Sequence, residues 1–385
     1  MRKVVITTLA VPFVLLVGYL LLVRVYTPDT IPADFEYRSQ DLTVSAADGA
    51  RIAATLHHVQ NDTAEIRPLV VFVGERSLDR DWNSKSFSFR SGARLARILG
   101  GAGFHSIRYD HRGTGDTQAS LQTRLDLELM INDVGSVARA GIAQLQSMQT
   151  NPNDSSEIQN IFFLAHDSGC AETLAALASS QNQPTGVILL SCDAAPTALD
   201  QWGEKLLFNM QRQGVDATVL DQARAEWQEF ARTNQLPLSM QFQEIAPAVK
   251  PPPDLIAFRE AVRYMASEKM DHFRGVAKSI AIQTRIESLV QRGVPVLHMI
   301  GEFDEELPPT SIGHTTDFAR DLSKKYGGQS YEFVVIPRMN HFLKEQDEAV
   351  QGPGLLLERM RPFRKIQPAA ITKILEFLKR NSSNP

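Results

Sequence analysis

Short strand-like runs, several of them wholly apolar, recur along this chain and alternate with stretches of helical spacing. Residues 69–73 read Leu-Val-Val-Phe-Val, 105–109 His-Ser-Ile-Arg-Tyr, 161–164 Ile-Phe-Phe-Leu and 187–190 Val-Ile-Leu-Leu. Two more runs cover 295–300 and 331–336. A run without polar alternation suits a strand buried on both faces, as in a parallel sheet covered by helices. Helical patterns at 87–99, 127–148, 172–179 and 368–380 supply that cover, with Gly100-Gly101 as the stop of the first. The alternation predicts an α/β fold with a mainly parallel central sheet and helices on both faces. Residues 41–58 read instead as two short strands around a turn at Asp48-Gly49.

The alternation stops between residues 195 and 285. This stretch is helical and polar, carries Trp202, Phe208, Trp227, Phe230 and Phe258, and is broken at Pro251-Pro252-Pro253. It predicts an inserted helical cap over the carboxyl edge of the sheet, where open α/β sheets bind ligands. The core is then 41–194 and 286–385.

The N-terminus has a separate character. Arg2 and Lys3 precede an uncharged run over residues 4–23, and Arg24 follows it. At helical rise such a run spans roughly 30 Å, the hydrocarbon thickness of a bilayer. The charge bias places the N-terminus in the cytoplasm and the body outside. The expectation is an uncleaved transmembrane anchor over 1–25 and a spacer over 26–40. The folded body would then lie in a bacterial periplasm or cell envelope. The rival is a signal peptide cleaved near Tyr26.

A net charge of -4 argues against a nucleic-acid surface. Two cysteines, Cys170 and Cys192, are too few for a zinc site or a disulfide framework. In an exported protein they could form one disulfide. Asn61-Asp62-Thr63 is a glycosylation acceptor pattern only in a eukaryotic host.

Three chemistry-bearing segments fall directly after strands. Ala165-His166-Asp167-Ser168-Gly169-Cys170 has small residues around a reactive one, the spacing of a nucleophile elbow. Gly301-Glu302-Phe303-Asp304 and Asn340-His341-Phe342 follow later strands. Nucleophile, acid, histidine is the chain order of α/β-hydrolases, and a histidine oriented by a carboxylate can act as general base.

Over roughly residues 41–378 the chain resembles an α/β-hydrolase-fold protein. It is most similar to exported or membrane-anchored bacterial hydrolases of the serine-aminopeptidase and dienelactone-hydrolase type. Residues 109–117, Tyr-Asp-His-Arg-Gly-Thr-Gly-Asp-Thr, match that group's D-x-R-G-x-G-x-S block, with Thr117 for the final Ser. Asp79-Arg80-Asp81-Trp82-Asn83 resembles its post-strand loop, residues 301–308 the acid loop and 336–341 the histidine loop. The resemblance implies a hydrolase of a small or medium organic substrate, ester-type or alkyl-type, without cofactor or metal. It implies an oxyanion hole from the backbone N–H groups of Ser168 and Glu75. Glu75 is unusual there, because its own charge would oppose an anion if the side chain turned inward.

Most of that group carry Ser at the elbow, and this chain carries Asp167. Three readings stay open. Asp167 is itself the nucleophile, attacking a saturated carbon as in the haloalkane dehalogenases and epoxide hydrolases that share the fold. Alternatively Ser168 is the nucleophile in a shifted frame. Or the chemistry is lost and the chain is a membrane-anchored binding or scaffold protein. Other residues have plainer readings. Asp110 and Arg112 would be a structural pair bracing their loop, and Asp193 a turn-capping carboxylate rather than a displaced acid. His57, His58, His105 and His111 lack metal-ligand spacing, and Asp79, Asp81 and Asn83 read as solvated loop charges rather than a calcium loop.

Overall fold

The computed structural model describes residues 29, 31–60, 67–84, 90–120, 123, 126–148, 160–180, 183–241, 252–328, 330–347 and 364–382. The run at 4–23 and the pattern at 61–63 lie outside these residues. Among the described residues no helix is long and apolar enough to cross a membrane.

The elements in chain order are β1 (Tyr37–Ser45), β2 (Arg51–Val59), β3 (Leu69–Val73), α1 (Ser91–Gly101), β4 (His105–Tyr109), α2 (Leu127–Ser147), β5 (Ile161–His166), α3 (Ser168–Ser179) and β6 (Gly186–Leu190). Then come α4 (Ala198–Arg212), α5 (Ala217–Thr233), a single turn at Leu238–Gln241, α6 (Pro253–Ala266), α7 (Asp271–Ser279), α8 (Ile282–Gln291), β7 (Val296–Phe303), α9 (Pro309–Tyr326), β8 (Tyr331–Asn340) and α10 (Pro368–Ser382).

The eight strands form one sheet in the order β1-β2-β4-β3-β5-β6-β7-β8. The β1–β2 hairpin and its junction with β4 are antiparallel, and every pairing from β4 to β8 is parallel. β3 and β6 are buried at every position, which is why they carry no polar alternation. From β3 the chain crosses to β4 on one side and later to β5 on the other. The β3–β5 boundary is therefore a topological switch point, where ligands bind beyond the carboxyl ends of the strands.

Two sequence expectations need correction. Gly100 and Gly101 do not stop the first helix but form its last turn. A Cβ on Gly100 would lie 2.7 Å from the Tyr37 ring, and one on Gly101 1.9 Å from the Pro32 carbonyl. These glycines are there for close packing, and the chain turns out of the helix at Gly103, with φ +91°. The helix expected from 172 begins at Ser168, so it springs directly from the elbow.

The chain leaves the sheet through Thr197 and returns at Ala281, and those two residues form a β-bridge. Between them lie α4 to α7. α4 opens with a reciprocal capping box between Thr197 and Asp200. α5 and α6 are joined by a buried Arg259–Glu226 ion pair. Trp227, Phe230 and Phe258 of this helical segment belong to the same apolar cluster as one face of the sheet. Cys170 and Cys192 are disulfide-bonded, with Cα atoms 6.4 Å apart, which ties the first turn of α3 to the exit of β6.

Candidate active site

Asp167 is the first residue after β5 and holds φ 51°, ψ -121°. That backbone conformation is sparsely populated for a side-chain-bearing residue and costs of order 1–3 kcal/mol. It stands the carboxylate up at the mouth of the switch point. The turn is tight: a Cβ on Gly169 would lie 2.4 Å from the Val73 carbonyl and 2.5 Å from that of Gly74. Trp82, on the loop after β3, stacks on His166 beneath the elbow, with ring centroids 4.7 Å apart.

Asp304 and His341 meet through strand register. Phe303 pairs with Asn340 across a β-bulge in β7–β8, and Asp304 and His341 are the residues that follow them. The bulge needs Gly301, where a Cβ would sit 2.1 Å from the Met339 carbonyl. His341 Nδ1 lies 2.9 Å from Asp304 Oδ1, and His341 Nε2 lies 3.3 Å from Asp167 Oδ2. Asp304 Oδ1 also accepts from the backbone N–H groups of Glu306 and Leu307. His341 is fully buried, and its own N–H donates to Glu305. Burial works against the imidazolium, but the carboxylates of Asp304 and Asp167 outweigh it and push His341 up to about 10. Burial likewise pushes the Asp167 carboxyl up, yet Lys205 and His341 hold it well below the ordinary carboxylate range. His166 is the opposite case: burial and the neighbouring His341 push it down to about 4, so it is neutral at physiological pH.

No family model and no curated protein matches this chain. Solved structures do. An acylaminoacyl peptidase from Pyrococcus horikoshii aligns over 90% of this chain and 42% of its own, at 11% identity and a TM-score of 0.50. A proline iminopeptidase from Mycobacterium smegmatis aligns over 89% and 98%, at 16% identity and 0.48. A Pyrococcus furiosus esterase aligns over 92% and 95%, at 14% identity and 0.46. At such identities the likeness concerns architecture. The chain has the α/β-hydrolase fold.

In an α/β-hydrolase fold the anion site is built from the residue after the elbow and the loop after β3. Here Arg76 N–H donates to Ser168 Oγ at 3.1 Å, which locks that loop to the elbow. The N–H groups of Ser168 and Glu75 have no acceptor among the described residues. Ser168 Oγ is thus engaged by the loop, and the elbow side chain next to His341 is Asp167. Glu75 does turn inward: a carboxylate oxygen and one ring nitrogen each of His166 and His341 lie within 4.8 Å of one another. These three have metal-type donors. However, Asp304 and Asp167 face both nitrogens of His341, and the neighbouring carboxylates already have a protein cation.

That cation is Lys205 of α4, which sequence reasoning missed. Its ammonium is hydrogen-bonded to Asp167 Oδ2 and lies 3.9 Å from Glu306. Burial disfavours its charge, but Asp167 and Glu75 raise it overall. No motif marks Lys205, because its position depends on how the helical segment docks. A cavity of about 360 Å³ lies beside this helix, lined by Asp193, Asp200, Glu204, Trp227 and His314 among others, and Asp167, Asp304 and His341 do not line it.

The remaining candidates are structural. Asp110 and Arg112 do not pair with each other. Asp110 binds Arg80 and the N–H of Asp116, while Arg112 bridges Asp133 and Asp48. The charges diverge because Asp110 turns toward the Arg80 loop and Arg112 toward α2. Asp79 accepts from the N–H groups of Asp81 and Asn83, and Asp81 pairs with Arg108, so these charges organise a loop. Asp193 accepts from Ser311. His57, His105 and His111 bond Arg108, Val59 N–H and the Gly74 carbonyl respectively and do not converge.

Proposed function

We propose that this protein is a hydrolase of small or medium organic substrates in which Asp167 is the nucleophile, His341 the base and Asp304 its orienting acid. The observation that carries the reading is the Asp167 carboxylate at the strained elbow, 3.3 Å from His341, with Ser168 turned aside. A carboxylate is nucleophilic without a base. Attack on a saturated carbon gives a stable alkyl ester, whereas attack on an ester carbonyl gives an anhydride, so the substrate class is alkyl-type, an epoxide or an alkyl halide.

The resting charges fit a two-step sequence. His341 starts as an imidazolium between two carboxylates. An Asp167 oxygen attacks carbon, the C–X bond breaks, and X leaves with the electron pair. Esterification removes the Asp167 charge, so His341 loses one of its two supports and releases its proton to the leaving group or to water. The neutral imidazole then takes a proton from water, and hydroxide attacks the ester carbonyl carbon. The test is His341→Gln incubated with styrene oxide and with 1-bromohexane. Intact-protein mass spectrometry should show an adduct, and peptide mapping should place it on Asp167. Absence of any adduct overturns the reading.

The second reading is a membrane-anchored binding or scaffold protein. The ion pair by which Lys205 covers Asp167, itself only 3% exposed, favours it. It predicts ligand binding that survives Asp167→Ala and no turnover. We further propose that residues 4–23 hold the protein in the membrane with its body outside the cytoplasm. Full-length protein recovered only in the soluble fraction would overturn that.

A further inference from the structure

Two cationic groups converge on one oxygen of Asp167. Lys205 donates to Oδ2, and His341 Nε2 lies 3.3 Å from the same atom. Oδ1 accepts from none of the described residues. The two oxygens are therefore chemically unequal, and the difference divides the labour between them. Cations withdraw electron density from Oδ2, leaving Oδ1 as the nucleophilic atom. Once Oδ1 has bonded to the substrate carbon, Oδ2 is the carbonyl oxygen of the ester.

We infer that Lys205 is a catalytic residue of the hydrolytic half-reaction: its ammonium holds the negative charge that develops on Asp167 Oδ2 when water attacks the ester. This rests on the reading of Asp167 as nucleophile. His341 takes a proton from water, and the hydroxide oxygen bonds to the carboxyl carbon of Asp167. The C=O electron pair moves onto Oδ2, beside Lys205. When that pair re-forms the carbonyl, the bond from the carboxyl carbon to Oδ1 breaks. Oδ1 leaves as the alcohol oxygen with the proton carried by His341. Asp167 is regenerated with one oxygen from water.

The helix that carries Lys205 is anchored for this role. The capping box and the Thr197–Ala281 bridge pin the start of α4. Its last residue, Arg212, donates to the Glu305 carbonyl. Lys205 and Arg212 are seven residues apart, so they lie on one face, and both meet the loop that carries Asp304. A charge fixed in place before the reaction needs no reorganisation when the oxyanion forms, which is the most effective form of electrostatic catalysis. Ser168 and Glu75 N–H groups supply the usual anion site of the fold. The inward Glu75 carboxylate weakens that site, and Lys205 offsets it.

The test separates the two half-reactions. Wild type, Lys205→Met and Lys205→Arg are mixed with styrene oxide, and the mass of the intact protein is followed over time. In Lys205→Met the adduct should form at least as fast as in wild type, because no ammonium then withdraws charge from the Asp167 carboxylate. It should then decay about 100-fold more slowly, the usual loss for one oxyanion donor. Lys205→Arg should recover at least a tenth of the wild-type decay rate. Lys205→Gln, which keeps a donor without charge, serves if the methionine variant does not fold, and should decay at least tenfold more slowly. An adduct that decays at the wild-type rate without the lysine, or formation and decay slowed equally, assigns Lys205 a structural role and overturns the inference. If His341→Gln forms no adduct at all, the nucleophile reading fails and this inference with it.

Discussion

The charge of Asp167 should set the protonation of His341, and Asp167→Asn measures by how much. The substitution keeps the shape of the elbow and removes one of the two carboxylates that face the ring. With 3.3 Å between Asp167 Oδ2 and His341 Nε2, and an effective dielectric of roughly 20, the Coulomb attraction is about 5 kcal/mol. Part of that is recovered by rearrangement of Asp304, so we take half as the minimum effect. At 1.36 kcal/mol per unit this is a fall of about 2 pKa units. Lys205, left without its partner, pushes in the same direction. His341 at about 10 in wild type should therefore titrate within the physiological range in Asp167→Asn. NMR titration of isotope-labelled histidine, assigned by loss of the signal in His341→Gln, reads both values. Under the proposed mechanism the neutral amide stands in for the neutral ester, so the experiment reports the proposed conversion of His341 from acid to base. A His341 pKa that moves by less than half a unit would refute the argument that esterification releases the base.

Three further outcomes follow from the geometry. Gly169→Ala would gain helix propensity on an open surface, but here the added Cβ meets the Val73 and Gly74 carbonyls at 2.4 and 2.5 Å. Urea denaturation should show a loss of about 1–3 kcal/mol, and a gain would contradict the packing of the elbow. Because His341 is raised above its unfolded value of 6.5, its contribution to stability is fully present below pH 6.5 and is lost as pH rises toward about 10. Melting temperatures over that window should fall more in wild type than in His341→Gln. Thiol titration of the denatured, unreduced protein should find no free cysteine. The double substitution Cys170→Ser with Cys192→Ser should cost about 3 kcal/mol for a loop of 22 residues, and two titratable thiols would remove the pairing.

Much of the frame was legible because it depends on local pattern. Leu69–Val73 has no polar residue because both faces of β3 are covered. The segments ending in Asp167, Asp304 and His341 were recognisable because each follows a strand end. Some misreadings came from treating close approach as punctuation. Gly100 and Gly101 look like a helix stop in one dimension, but they are the surface on which Tyr37 and Pro32 pack. Asp110 and Arg112 sit two apart in a motif, yet their ion-pair partners are 30, 64 and 21 residues away.

The sequence by itself determined the α/β-hydrolase architecture and the three residues at its strand ends, because strand burial and chain order are properties of short segments. The tertiary structure alone decided which elbow atom faces the histidine. It turned Ser168 onto Arg76, brought Glu75 inward and set Lys205 from a distant helix on one oxygen of Asp167. Those choices depend on how loops and helices dock across the sheet edge, where side chains far apart in the chain compete for the same few acceptors, and no local spacing encodes the winner.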